Sequence, residues 1–582
     1  MSSASVASNQ VPISRRELRW LIAAYLVGAV LRLWFPERMG IEHFDEGVYA
    51  SNFWFGAEQG YSYPARHLYA PPLLPVAIEW TMVLASLCGI RPTGFVPMIP
   101  SLIAGLLTIP SLWWVGRRWF GPRAGLVAAW LVATSDFHAS YSRAAMTDVP
   151  VCLFILWGIY FLKQAMESGG WRDILSASLF TSLAWWTKYN GWLPLAVGLS
   201  GGLAWQMCLP AGERKFGPVL KRWSIVAGLS FLFWSPVLIG LQKHGGYQAV
   251  AANHRQYING LDKWLSNVVH QGLNVGVYDN VIGLPVELWA KSVQHRMNRK
   301  LWSGSIVAPF TVVEAARFDR PYHPITPVEE RVVSAWIVRS LLLTTPGLLL
   351  VTALFGLVSE ILARRQCRQT ASIWFLTAWL AGLCVATPFY SPYPRLILPL
   401  LVSLWLGAGL AIQRIIDTWG SRTRSGWARF VGSLRLQFSG PILMICIIAI
   451  RFQTGSFHAW QDRSQFQTEI HELAGKIKER TAKAGYAPDE AVVFVAGHPP
   501  TFFGLKGAEL SLVAPIQDKE LAERQNRPTF VAYVHTTRIV PGRDADLLIG
   551  STSNFPSHFV LLDEPDCFEQ MKFNAVWVEM LP

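Results

Sequence analysis

The sequence is short of charge. Of its 582 residues only 15% are charged, where a soluble chain of this size carries about a quarter, and 52% are hydrophobic. The deficit excludes an ordinary soluble enzyme over most of the length, because apolar runs of spanning length, about 20 residues, recur from Leu18 to Ile450. Cysteine is scarce too. The seven Cys are scattered, none pair at metal-ligand spacing, and most lie in apolar runs (Cys152, Cys208, Cys384, Cys446), so no disulfide framework or structural zinc site is visible. Internal repeats and low-complexity tracts are missing, and with them the symmetry common in transporters. No small-residue cleavage site follows the first apolar run, Leu18 to Phe35, which is expected to be an uncleaved span preceded by Arg15 and Arg16.

What is present fits a polytopic membrane protein. The 27 Trp suit interfacial belts, and the formal charge is +13. Nucleic acid is a poor partner for that charge, because the basic residues sit in short loops between apolar runs, as on a cytoplasmic face. Spans are predicted near 18–35, 97–116, 124–141, 149–165, 173–187, 190–208, 223–241, 340–362, 372–388, 396–413 and 440–452. The run 71–90 is apolar enough to be another. If it does not cross, then Arg117, Arg118, Arg123, Arg172, Arg214, Lys215, Lys221, Arg222, Arg364 and Arg365 all fall on one face. It is therefore predicted to lie along the outer interface or to re-enter.

The result is an α-helical polytopic membrane protein of eleven crossings, N-terminus inside and C-terminus outside. Residues 1–452 form a transmembrane domain with outer loops at 36–96 and 242–339. Residues 453–582 form a small α/β domain, with Phe466, Ile470, Leu473 and Ile477 at helical spacing. Its β-rich runs are 491–497, 510–515, 530–536, 558–564 and 575–581, with a helix over 518–525.

Four clusters facing outward in this topology carry chemistry. HFDEGVYA, His43 to Ala50, places Asp45 and Glu46 beside Tyr49 just beyond the first span. YSRAAMTDVP, Tyr141 to Pro150, places Arg143 and Asp148 at adjacent span ends. WWTKYNGWLP, Trp185 to Pro194, puts Lys188 in a tight turn, and FYSPYPRLILP, Phe389 to Pro399, contributes Arg395. Each taken singly has a bland alternative: a solvated loop, a structural ion pair, a snorkelling anchor. Together, three cations and two acids at the rim of a membrane protein suit a site that binds an anionic phosphate and needs a base.

The ordered set DE..Y, PPL, GRRWFG, SR..M.D, TK..G and YPRL.LP resembles the C-type (GT-C) glycosyltransferases. Nearest are the family 39 protein mannosyltransferases and the bacterial aminoarabinose and other lipid-carrier-dependent transferases. The resemblance is strong over 18–242 and looser over 340–413. It implies an outward-facing, periplasmic site, a polyprenyl-phosphate sugar donor and an inverting in-line displacement. Asp45 matches the acid taken as catalytic base, Glu46 its neighbour, and Asp148 the acid after SR..M.D. Arg143, Lys188 and Arg395, with Tyr49, suit donor phosphate or site architecture. In the aminoarabinose branch a Lys precedes PPL and can contact the lipid phosphate. Here Ala70 stands there, with Arg66 and His67 upstream as substitutes, which argues against that substrate.

No metal site or cofactor is expected, although a divalent cation stays open. The partners implied are the lipid-phosphate donor, the bilayer, and a lipid, glycan or protein acceptor. The location implied is a bacterial inner (plasma) membrane. Rival readings are a transporter or flippase of lipid-linked substrates, a cell-envelope assembly protein without activity, and a polymer ligase.

Overall fold

A computed structural model describes residues 12–55, 63, 66–255, 257–264, 267–268, 345–363, 370–390, 393–422, 458–460, 462–483, 485, 487, 492–496, 499–508, 513–515, 529–534 and 576–581. The chain begins with α1 (Arg15–Leu33), α2 (Phe44–Ala50), α3 (Arg66–Tyr69) and α4 (Leu73–Leu87). The bundle continues through α5 (Ile99–Phe120), α6 (Pro122–Thr134), α7 (Asp136–Ser142), α8 (Asp148–Ser168), α9 (Trp171–Thr187), α10 (Leu193–Cys208) and α11 (Phe216–Gln242). Then come α12 (Gly246–Arg255), α13 (Thr345–Ala363), α14 (Ala371–Ala386) and α15 (Leu398–Arg422). The C-terminal stretch adds α16 (Gln465–Lys483), α17 (Pro499–Gly507) and strands β1 (Val492–Ala496), β2 (Val513–Pro515), β3 (Thr529–Val534) and β4 (Val576–Leu581).

Five described helical stretches are long and apolar enough to cross a membrane: Val96–Phe120, Asp148–Ser168, Phe216–Gln242, Ala371–Phe389 and Arg395–Thr418. The other expected spans, apart from 124–141, fall on single helices as far as they are described; 340–344 and 440–452 lie outside the described residues. Helix α11 starts at Phe216, well before the expected 223, and α15 runs on to Arg422. Lys and Arg favour helix nearly as well as Leu does, so a helix need not stop where its apolar run does.

One expected span differs. The run 124–141 is two helices, broken at Ser135. Ser135 is extended and its hydroxyl accepts from the His138 N–H at 3.1 Å, an N-cap that starts a new helix. The carbonyls left at the end of α6 are taken by Arg32. Its guanidinium is fully buried and donates to Val132 and Ala133 at 2.9 and 3.1 Å, and to Gly28 at 3.0 Å.

Two apolar cores result. The larger lies within the bundle, among Trp113, Phe137, Leu156, Phe375, Trp379 and Trp405. The smaller joins the first part of the chain to the C-terminal stretch, where Val48, Ile78, Met98 and Ala145 meet Ile470, Phe502 and Phe503. Helix α4 belongs to this smaller core and packs against α2. At 15 residues it is, like α10 at 16, one of the shorter apolar helices among the described residues.

In the C-terminal stretch β1 pairs in parallel with β2 and β3, and β4 closes antiparallel on β3, giving the order β2-β1-β3-β4. Ile470, Ala474 and Ile477 form the buried stripe of α16. The expected strand at 558–564, the helix at 518–525 and nearly all of the 242–339 loop beyond Asn267 lie outside the described residues.

Candidate active site

Helix α2 begins with a capping box. His43 Nδ1 accepts from the Asp45 N–H at 3.1 Å, and Glu46 reaches back to the His43 N–H at 2.9 Å. Asp45 therefore sits in the first turn, where the unsatisfied N–H groups favour a carboxylate. Its Oδ2 lies 2.6 Å from Arg395 Nη1, and the carboxylate is 14% exposed. Lys188 Nζ pairs with Asp148 Oδ1 at 2.6 Å and also acts on Asp45. Asp148 in turn acts on Arg395. Tyr49 is buried among Asp45, Arg395 and Asp148 and bonds Thr147. Five residues singled out from sequence, on four separate segments, thus come together: two acids paired with two cations, and the neutral Tyr49 among them.

Local structure explains how each arrives. Met146 of the SR..M.D segment turns its sulfur to Arg395 Nη1 at 3.9 Å, and its carbonyl accepts from Ser101 at 3.0 Å. Lys188 ends α9 in extended conformation and accepts from the Gly191 N–H at 2.8 Å. A Cβ at Gly191 would collide with the Ala184 carbonyl, so the tight TK..G turn needs glycine.

Electrostatics fix the protonation states. Burial pushes the Asp45 carboxyl up, but Arg395 and then His43 draw it down, with Lys188 adding, and the net is below its ordinary value. Burial also pulls the His43 imidazole below its ordinary value; Asp45 opposes this and Arg395 adds to it. At neutral pH Asp45 is a carboxylate and His43 is neutral.

The remaining candidates lie elsewhere. Glu46 is fully buried. Its Oε1 accepts from the Ala145 N–H at 2.9 Å, and its Oε2 from the N–H groups of Glu42 and His43 and from Arg463. Arg143 turns back onto the end of α1, donating to the carbonyls of Arg32, Trp34 and Phe35 at 2.9, 2.5 and 3.0 Å. His67 stacks on His244 with ring centroids 4.6 Å apart, and its carbonyl accepts from the Tyr189 hydroxyl. Arg66 lies near Tyr189, Glu79 and Tyr49; burial is the main cause that pulls its guanidinium below its ordinary value, and its buried Nε and Nη1 have no partner among the described residues.

Sequence reasoning did not single out His43, Thr147, Met146 or Arg463. The first three stand inside quoted motifs and were overshadowed by their charged neighbours. Arg463 sits in a polar stretch where a basic residue carries no topological signal. Among the described residues no group of three His, Cys, Asp or Glu side chains is arranged to hold a metal ion.

This helical membrane bundle shares its fold with solved membrane glycosyltransferases. Residues 71–239 match the family described as dolichyl-phosphate-mannose-protein mannosyltransferase. Among solved structures, the chain is similar to ArnT from Cupriavidus metallidurans in the apo state, with 12% identity, TM-score 0.52 and 97% of each chain covered. The same enzyme bound to undecaprenyl phosphate gives 11% identity, TM-score 0.51 and the same coverage. The archaeal oligosaccharyltransferase AglB from Archaeoglobus fulgidus, in complex with an inhibitory peptide and a dolichol-phosphate, gives 13% identity and TM-score 0.52, over 89% of this chain and 69% of that one. No curated protein sequence matches the chain.

Proposed function

We propose that this protein is a membrane glycosyltransferase that moves a sugar from a polyprenyl-phosphate donor to an acceptor at the outer face. The observation that carries the reading is the Asp45–Arg395 pair at 2.6 Å, with Lys188 and Asp148 beside it. Similar folds are found in proteins whose structures hold undecaprenyl phosphate and dolichol-phosphate.

The acceptor hydroxyl or amine lies against Asp45, which takes its proton as the new bond to the anomeric carbon forms. The bond from that carbon to the donor phosphate oxygen breaks on the opposite side, and configuration inverts. Arg395 and Lys188 supply charge-assisted hydrogen bonds to the departing phosphate. In the donor-free site Arg395 is engaged by Asp45. A phosphate that draws Arg395 toward itself also loosens the counterion of the base, so donor binding raises the basicity of Asp45. Arg66, near Tyr49 and with two buried nitrogens that have no partner among the described residues, is assigned to the donor phosphate in place of the missing Lys at Ala70. Glu46 and Arg143 are assigned to architecture, because their polar atoms already hold the chain.

The experiment is turnover of a polyprenyl-phosphate sugar by the purified protein in liposomes, read as release of free polyprenyl phosphate. It is joined to mass spectrometry of glycans and glycolipids from cells with and without the gene product. Movement of a lipid-linked substrate with no covalent product would replace this reading with a flippase.

A further inference from the structure

Arg463 lies just before α16, 417 residues along the chain from Glu46. Its guanidinium reaches three groups. Nη2 pairs with Glu46, Nε donates to Glu42 at 3.1 Å, and Nη1 donates to the Arg143 carbonyl at 3.2 Å. Its own N–H donates to the Arg38 carbonyl at 2.8 Å. One side chain from the C-terminal stretch thereby ties the entry to α2 to the turn that precedes α8.

Glu46 makes this contact consequential. Its second oxygen accepts the Ala145 N–H. Ala145 is followed by Met146, which touches Arg395, and then by Thr147 and Asp148. Glu46 is therefore the joint between the segment bearing Asp45 and the segment bearing Asp148, and Arg463 is its cationic partner. A fully buried carboxylate that loses its cation keeps a large desolvation penalty with only backbone donors left to offset it. The C-terminal stretch also meets α2 through α17: a Cβ at Gly47 would collide with the backbone of Pro499 and Pro500.

We propose that Arg463 is a positioning residue for the Asp45 site, so that the segment leading into α16 is part of the reaction centre. Through Glu46 it holds α2 at the distance from the 143–148 turn at which Asp45 meets Arg395. The inference rests on the assignment of Asp45 as base made above.

The test compares full-length protein in nanodiscs carrying Arg463→Ala, Arg463→Lys or no change. Hydrogen exchange is followed at the amides of residues 42–46 and 144–148, and single-turnover transfer is followed with a polyprenyl-phosphate sugar. In Arg463→Ala, exchange at the Glu42, His43 and Ala145 amides should rise about tenfold or more, while protection of α8 and α15 stays unchanged. The transfer rate at saturating donor should fall about 100-fold with donor KM within about threefold, the pattern of lost positioning rather than lost binding. Added guanidinium should restore part of the rate. Arg463→Lys keeps the charge without the planar fork and should fall between the two. Unchanged exchange at 42–46, or a loss confined to donor KM, would overturn the proposal. Exchange needs no substrate, so absent turnover in the unaltered protein would sink the transfer reading and leave the test of Arg463 intact.

Discussion

Asp45 is held by opposing forces, and its titration should show them. Burial raises its carboxyl while Arg395, His43 and Lys188 lower it further. The acid limb of kcat/KM for donor, which reports the donor-free enzyme, should then fall below the ordinary aspartate value of about 3.9. Replacing Arg395 by Met removes the strongest opposing charge, so the carboxyl should rise and the acid limb should move to higher pH. A pH–rate profile of the variant with an unmoved or lowered limb would contradict the pairing. The same variant should raise donor KM by about 10- to 100-fold, the size expected for a lost charge-assisted hydrogen bond of about 1.5–3 kcal/mol, with acceptor KM little changed. Arg66→Ala should act in the same direction on donor KM, and an equal effect on both substrates would make it merely structural.

Among the elements, α2 and the turn before α8 decide the geometry. The sequence made the helices legible through apolar length. It made Asp45, Asp148, Lys188 and Arg395 legible because charge at the rim of a membrane is costly. It did not reveal that Arg143 caps α1 or that Glu46 is a joint, since both depend on residues distant in the chain: the carbonyls beyond Leu31 and the Arg463 guanidinium. The break at Ser135 was readable in principle, as a Ser followed by Asp is an N-cap signal, but the continuous apolar run concealed it. Gly47 and Gly191 are close approaches and should not tolerate a methyl group. Gly47→Ala should cost about 1–3 kcal/mol, as overpacking does, seen as a lower thermal midpoint together with faster proteolysis between α16 and α17. A midpoint equal to the unaltered protein would mean that α17 does not rest on α2 as described.

At the scale of the whole molecule, two apolar cores divide the work. The larger core holds α8, α14 and α15 together, and the smaller packs α2 and α4 with α16 and α17. In the charged cluster Asp45 stands on α2, which belongs to the smaller core, and Asp148 begins α8, which belongs to the larger. A site whose leaving group is stabilised by Arg and Lys should keep most of its rate in excess chelator. Loss restored by added manganese would point to a metal-assisted site. The central claim is that the Asp45 carboxylate takes the acceptor proton in sugar transfer from a lipid phosphate. The most direct measurement is single-turnover transfer by Asp45→Asn, folded and reconstituted, with the donor in excess. The account predicts that Asp45→Asn still binds donor but forms product at least about 1,000-fold more slowly. Transfer within a few-fold of the unaltered protein would contradict it.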